Sequence, residues 1–374
     1  MPVQRDSSKN VHPIPWAKPS FWGNEQRYVS EALTSSWISG GPFVERFENE
    51  FAKYIGARYA MTASNGTTAL HMALLSLSIG PGDEVILPGF AFMAAANVAL
   101  HLKAEPVFAE VDPATWCMTA DSVERCLSPR TKVIVPIHTY GNVCGMDEIV
   151  ALAKDRSVAV VEDAAEAFGS HYKSRHAGSM GHLGTFSFHA TKTITTGEGG
   201  MVMTNSADLR DRLYLFRNHG MLRTRYWHDV PGHNFRLTNM QAAIGCAQLE
   251  RIDQIVAERQ RIYTSYRSCL RNIPGIVPQS FAADVEPVVW AVAVKLDPRA
   301  YPQGRDEVMR QLQEDQIETR NGFYAASMLQ HLYACPRLEI CEDLAQQVLS
   351  LPTYCGIEDS EIEFICSRLG SLRK

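Results

Sequence analysis

The segment TFSFHATKTITTGEGG, residues 185–200, runs an apolar strand pattern directly into His189, Thr191 and Lys192, and then into a glycine-rich turn. An amine held at the end of a strand can add to a carbonyl and can carry a proton. A second segment, VVEDAAEAFGS (160–170), puts Asp163 at a strand end after four apolar residues in five. A carboxylate there is costly without a partner. Alternation sends Glu162 to the opposite face of the strand, so the two acids cannot share one role, and Glu166 falls just past the strand end. A third segment, SNGTTAL (64–70), sets Asn65, Gly66, Thr67 and Thr68 at a helix start. Free N–H groups and the positive end of the helix dipole favour an anion there, and Gly66 permits close approach. The loop PGFAFMAAAN (88–97) adds Phe90 and Phe92 as flat surfaces.

Taken singly, each feature has a plainer reading: a solvated lysine, an N-cap aspartate, a capped helix, two core aromatics. Taken together they supply what one cofactor, pyridoxal phosphate, requires. It needs a cradle for its phosphate, an amine for its aldehyde, an acid beside its ring nitrogen and a neighbour to stack on. Asp163 and Lys192 are the candidates for the acid and the amine.

These residues must be positioned by a parallel sheet, because ligands bind beyond the carboxyl ends of parallel strands. Seven runs read as strands: 58–64, 83–89, 105–112, 132–138, 157–164, 184–190 and 199–205. Helical periods such as TTALHMALLSL (67–77) and MDEIVALAKD (146–155) fall between several of them, which implies an α/β architecture with a mostly parallel seven-stranded sheet. Residues 238–270 read as one long amphipathic helix joining two lobes. Beyond it, PVVWAVAVKL (287–296) reads as a strand, and 304–315 and 359–371 read as helices of a smaller α+β domain. The division expected is an extended arm over 1–22, carrying Pro13, Pro15 and Pro19, a large domain over 23–245 and a small domain over 246–374.

The 374 residues, 45% hydrophobic and 21% charged, exclude disorder and coiled coil. A formal charge of -5 gives no general pull toward nucleic acid. The longest apolar stretch, Leu87 to Leu102, is broken by Pro88, Gly89 and Asn97 and falls short of the ~20 residues of a membrane helix. Nine scattered cysteines with no CxxC spacing fit reduced thiols, a cytoplasmic setting and no structural zinc, and MPVQRDSSKN lacks an export signal.

The chain resembles the DegT/DnrJ/EryC1/StrS sugar aminotransferases over nearly its whole length. The likeness is carried by WISGGPFVERFENEFAKYIG (37–56), SNGTTALHMALL, GPGDEVILPGFAF, PIHTYGNVCGMDEI (136–149), VVEDAAEAFGS, FSFHATKTITTGEGGMV, WHDVPGHNFRLTNMQAAIGCAQLE (227–250), ETRNGFY (318–324) and LSLPTY (349–354). The resemblance implies the aspartate aminotransferase fold (fold type I) and transfer of the amino group of L-glutamate to a keto sugar. It implies Lys192 as the Schiff-base lysine and proton carrier, Asp163 on the pyridinium nitrogen, and Phe92 as the stacking ring. Glu166 stands where the family usually has glutamine or histidine near the phenolic oxygen, and a glutamate there resembles the perosamine synthase branch. Phosphate binding is implied for Gly66, Thr67 and Ser187, with Asn234 reaching across from the second subunit of a homodimer. His189 and Arg236 are candidates for substrate contact, His189 being weighed against a core histidine. His138 and His219 receive no role. SFHATK departs from the SFFGNK of perosamine enzymes, which opens other acceptors such as an 8-keto octulosonate or a 3-keto hexose. The competing readings are a dehydratase, whose branch carries histidine in place of Lys192, and a non-catalytic regulatory module that binds the cofactor.

Overall fold

The computed structural model describes residues 12–332 and 334–374. All seven strands of the sequence reading form, as β1 (Tyr59–Ala63), β2 (Glu84–Pro88), β3 (Glu105–Ala109), β4 (Thr131–Ile134), β5 (Ala159–Asp163), β8 (Leu183–Ser187) and β9 (Gly200–Thr204). A short hairpin, β6 (His171–Tyr172) and β7 (Arg175–His176), lies between β5 and β8. The seven longer strands make one sheet in the order β1-β9-β8-β5-β4-β2-β3. Six run the same way; β9 runs antiparallel between β1 and β8.

The strands read as near-continuous apolar runs because the sheet is covered on both faces. Alternate residues divide between two cores: Val85, Leu87, Val133 and Val161 pack with the helices Gly66–Ser76 and Ala94–His101. Ile86, Ile134, Val160 and Met201 pack on the other side with Phe47 and Phe51 of the helix Pro42–Ile55. That face closes with an aromatic cluster in which Phe51 stacks on Phe168 at 5.2 Å.

The second sheet has the order β10-β12-β14-β13, formed by β10 (Ile276–Pro278), β12 (Ala293–Leu296), β13 (Arg320–Asn321) and β14 (Val348–Ser350). Another two-residue strand, β11 (Val285–Glu286), pairs with β6. Val294, Leu296 and Leu349 share a third core with Ile262 and Tyr266 of one helix and Ile362, Ile365 and Leu369 of another. The expected helices near 304–315 and 359–371 form as Arg305–Glu314 and Asp359–Ser371.

Two expectations are corrected. The stretch 238–270 is two helices, Asn239–Leu249 and Ile252–Leu270. The first packs on the helices Glu25–Thr34 and Pro42–Ile55, the second on Asp359–Ser371. At the break Glu250 is held by Asn24, Tyr28 and Arg46. The strand expected over 287–296 shortens to β12, because residues 288–292 give their backbone groups elsewhere. Val288 N–H donates to Ser170 Oγ and Val292 N–H to Thr353 Oγ1.

Of the arm expected over 1–22, residues 1–11 lie outside the described residues. The described part lies against the small sheet: Ile14 bridges Ile317, and Trp16 Nε1–H donates to Ser350 Oγ at 3.0 Å. Among the described residues no helix is long and apolar enough to cross a membrane.

Candidate active site

The carboxyl ends of β1, β5 and β8 and the start of β9 converge. Gly200 pairs with Ala63 on one side and Ser187 on the other, so the segment after β1 and the end of β8 meet across it. The approach is close enough to exclude side chains: a β-carbon on Gly200 would fall 2.4 Å from Asn65 O, and one on Gly66 2.7 Å from Ser187 Cβ. Asn65 and Thr68 form a capping box, with Asn65 Oδ1 accepting from Thr68 N–H at 2.9 Å and Thr68 Oγ1 accepting from Asn65 N–H at 3.0 Å. The cap and an open helix start therefore coexist. The cap uses Asn65 and Thr68, while the N–H groups of Gly66 and Thr67, in the first turn, have no intrahelical acceptor.

Lys192 sits on the connection between β8 and β9. Because β9 reverses direction this connection is short, and its neck is zipped by Phe188 N–H to Gly199 O (2.8 Å) and Thr196 N–H to Phe188 O (2.9 Å). The lysine side chain is 13% exposed, and its Nζ lies 3.7 Å from Glu166 Oε1. Burial lowers the pKa of the amine, and Glu166 and Asp163 pull it back up. Asp163, buried at the end of β5, accepts from Ala165 N–H at 3.0 Å. Burial raises its pKa, against the Ala165 N–H, Lys192 and His138. Burial likewise raises that of Glu166, against Lys192 and the Tyr140 N–H, which donates to Glu166 Oε2 at 2.9 Å. The structure thus brings this trio together: a largely covered amine lies beside two buried acids.

Glu162 faces the other way, as alternation requires. It accepts from Gly178, Met180 and Gly181 N–H and pairs with His138 Nε2 at 3.0 Å. Cys144 N–H donates to His138 Nδ1 at 3.3 Å, which leaves Nε2–H to donate to Glu162. Glu162 and His138 brace β5 from behind.

The other candidates separate. Phe90 is wholly buried against Trp116 and Phe323, an ordinary core aromatic, whereas Phe92 is 62% exposed and meets Phe323 edge-on at 6.3 Å. His189 is no core residue: its exposed ring bonds Thr191 Oγ1 at 3.0 Å. Asn234 and Arg236 lie in the 218–237 loop and bond each other at 2.9 Å. Neither bonds Lys192, Asp163 or Glu166 among the described residues. Arg236 also approaches His219 Nε2 at 3.4 Å.

Sequence reasoning missed three aromatic residues. Tyr140, with φ 58°, turns its N–H toward Glu166, an unfavourable backbone conformation costing on the order of 1 kcal/mol. Its ring stacks on Phe323 (5.0 Å) and Trp290 (6.1 Å), and the Trp290 ring centroid lies 3.7 Å from Lys192 Nζ. The available signal was Trp290 itself, an indole inside a run of small aliphatic residues.

A helix start with free N–H groups, a largely covered amine and two buried acids thus gather at the carboxyl edge of a mostly parallel sheet, in the architecture of a fold type I enzyme. A model of the DegT/DnrJ/EryC1/StrS aminotransferase family matches residues 20–370, and the chain belongs to that family. The GDP-perosamine synthase of Escherichia coli O157:H7 is 41% identical over 359 residues, 95% of this chain and 97% of that protein. That of Caulobacter vibrioides is also 41% identical over 359 residues, covering 94% and 96%. Among solved structures, the aminotransferase TlmJ from Streptoalloteichus hindustanus matches with a TM-score of 0.90 at 30% identity, covering 96% of this chain and 98% of that one.

Proposed function

We propose that this enzyme uses pyridoxal phosphate to move the amino group of L-glutamate onto a nucleotide-linked 4-keto-6-deoxyhexose, with GDP-4-keto-6-deoxymannose as the favoured acceptor. The observation that carries the reading is the buried amine of Lys192 facing Glu166 and Asp163 in a chain 41% identical to GDP-perosamine synthases. Bound there, the cofactor supplies an electron sink for the carbon that loses its proton.

The residues present fit that group. The free N–H groups of Gly66 and Thr67, with the Ser187 hydroxyl, suit a phosphate dianion at the helix start. Asp163, whose burial favours a cationic neighbour, suits a protonated ring nitrogen, and its carboxylate would hold the proton there. Phe92 offers an exposed face for stacking. Glu166, fixed by the Tyr140 N–H, would accept from or donate to the phenolic oxygen. Nζ of Lys192 takes the α-proton of glutamate and later returns a proton to the sugar carbon. For that it must be neutral part of the time, and burial moves it from its ordinary value of about 10.4 in the needed direction.

Asn234 makes no hydrogen bond to the trio within one chain and is engaged by Arg236 instead; in the reading proposed here it completes the phosphate site of the neighbour in a homodimer, with Arg236 and His189 turned to substrate. The free state of all nine cysteines suits the reducing cytoplasm.

Nitrogen-labelled glutamate supplied with a panel of keto sugars tests the reading by mass spectrometry. Label should enter the GDP-linked 4-keto-6-deoxyhexose and should vanish with Lys192→Ala. Label appearing only in an acid keto sugar or a 3-keto hexose, or in none, sinks it.

A further inference from the structure

Trp290 is restrained from every side. Its indole Nε1–H donates to Thr191 O at 2.7 Å and its N–H to Tyr140 O at 3.2 Å, and its carbonyl accepts from Arg259 Nη1 at 2.7 Å. The ring stacks on Tyr140 with an interplanar angle of 13° and meets Trp16 edge-on at 5.6 Å. The residue is 8% exposed. Packing alone would not require an indole bonded to the residue that precedes Lys192. That bond ties the ring to the lysine's own loop.

The amine lies 3.7 Å from the ring centroid and 3.7 Å from Glu166 Oε1. A ring face attracts an ammonium and is indifferent to a neutral amine. We infer that Trp290 is a positioning residue: with Glu166, its face forms the resting place of Lys192 Nζ whenever that nitrogen is free of the cofactor and protonated. An amine released into a wider cavity would swing through many rotamers and lose its alignment for the next proton transfer. Held between a carboxylate and an indole, it stays in reach. Burial favours the neutral amine, Glu166 and Asp163 favour the cation, and a ring face adds to the cation's side, so the amine stays able both to give and to take a proton.

This inference rests on Lys192 acting as proposed above, and the test separates the two. Full-length protein, both cofactor-free and loaded with pyridoxamine phosphate so that the lysine is not covalently engaged, is pulsed with acetic anhydride across pH. Acylation of the Lys192 peptide is read by mass spectrometry. Trp290→Leu should lower the midpoint by about one pH unit, a tenfold shift toward the neutral amine. Trp290→Phe should lower it less, because a benzene ring keeps a weaker face. A midpoint unchanged or raised in Trp290→Leu overturns the inference. If near-ultraviolet circular dichroism shows that Trp290→Leu does not fold, Trp290→Phe decides alone by the same criterion. In the working enzyme kcat should fall and its pH profile shift while KM for glutamate holds; a change in KM alone also overturns it. Failure of the parent reading looks different: Lys192→Ala would keep its turnover.

Discussion

Gly66 and Ser187 approach so closely that a single added methyl group on the glycine would fall 2.7 Å from the serine β-carbon. The serine is fixed in β8 and the glycine in the first turn of a capped helix, so neither can yield cheaply. Gly66→Ala should push the helix start away from the strand at a cost of about 1–3 kcal/mol, weakening cofactor binding by roughly tenfold. Titration of the cofactor-free protein with pyridoxal phosphate measures this, and wild-type affinity in the variant would show that the contact plays no part in the cradle.

Asn234 accepts from Arg236 Nε–H and makes no hydrogen bond to Lys192 among the described residues of its own chain. If each active site draws its lysine from one subunit and its asparagine from the other, Lys192→Ala and Asn234→Ala should each be nearly inactive alone and should complement each other. After mixing and subunit exchange, activity should recover to roughly a quarter of wild type, because half the dimers are mixed and each holds one intact site. Complete silence after verified exchange would place both residues in the same subunit's site.

Burial raises the pKa of both Asp163 and Glu166 in the folded protein. The unfolded chain releases these protons first, from about pH 4 upward, so the folded state loses stability as pH rises through the folded values. In cofactor-free protein, Asp163→Asn and Glu166→Gln should therefore raise Tm near neutral pH by about 2 °C or more, with little difference at pH ~4. Both should lose turnover. Thermal melts at the two pH values check this, and a gap that shrinks as pH rises would contradict it.

The strands were legible because burial on both faces leaves its mark in unbroken aliphatic runs such as Val85 to Leu87 and Val133 to Val135. Asp163 stood out because it ends such a run, and Lys192 because a strand pattern leads into its glycine-rich turn, whereas Glu166 gained its place through the family resemblance. Trp290 was not legible, since its segment carries strand composition while its backbone is claimed by Tyr140 and Arg259, partners 150 and 31 positions away. Tyr140 was hidden for a related reason: its usefulness lies in an N–H orientation that comes from a left-handed turn, and a tyrosine gives no hint of that conformation. The break near Glu250 escaped because no glycine or proline marks it, and residues on both sides are good helix formers.

The reversed strand β9 has a last implication for how this enzyme can drift over time. The return leaves Lys192 on a purse-string segment with both ends stitched into neighbouring strands. Substitutions along that segment can be absorbed one at a time, but a gained or lost residue would rotate the amine out of line at a stroke. Length, more than composition, is the quantity that natural variation should leave alone between Phe188 and Gly199.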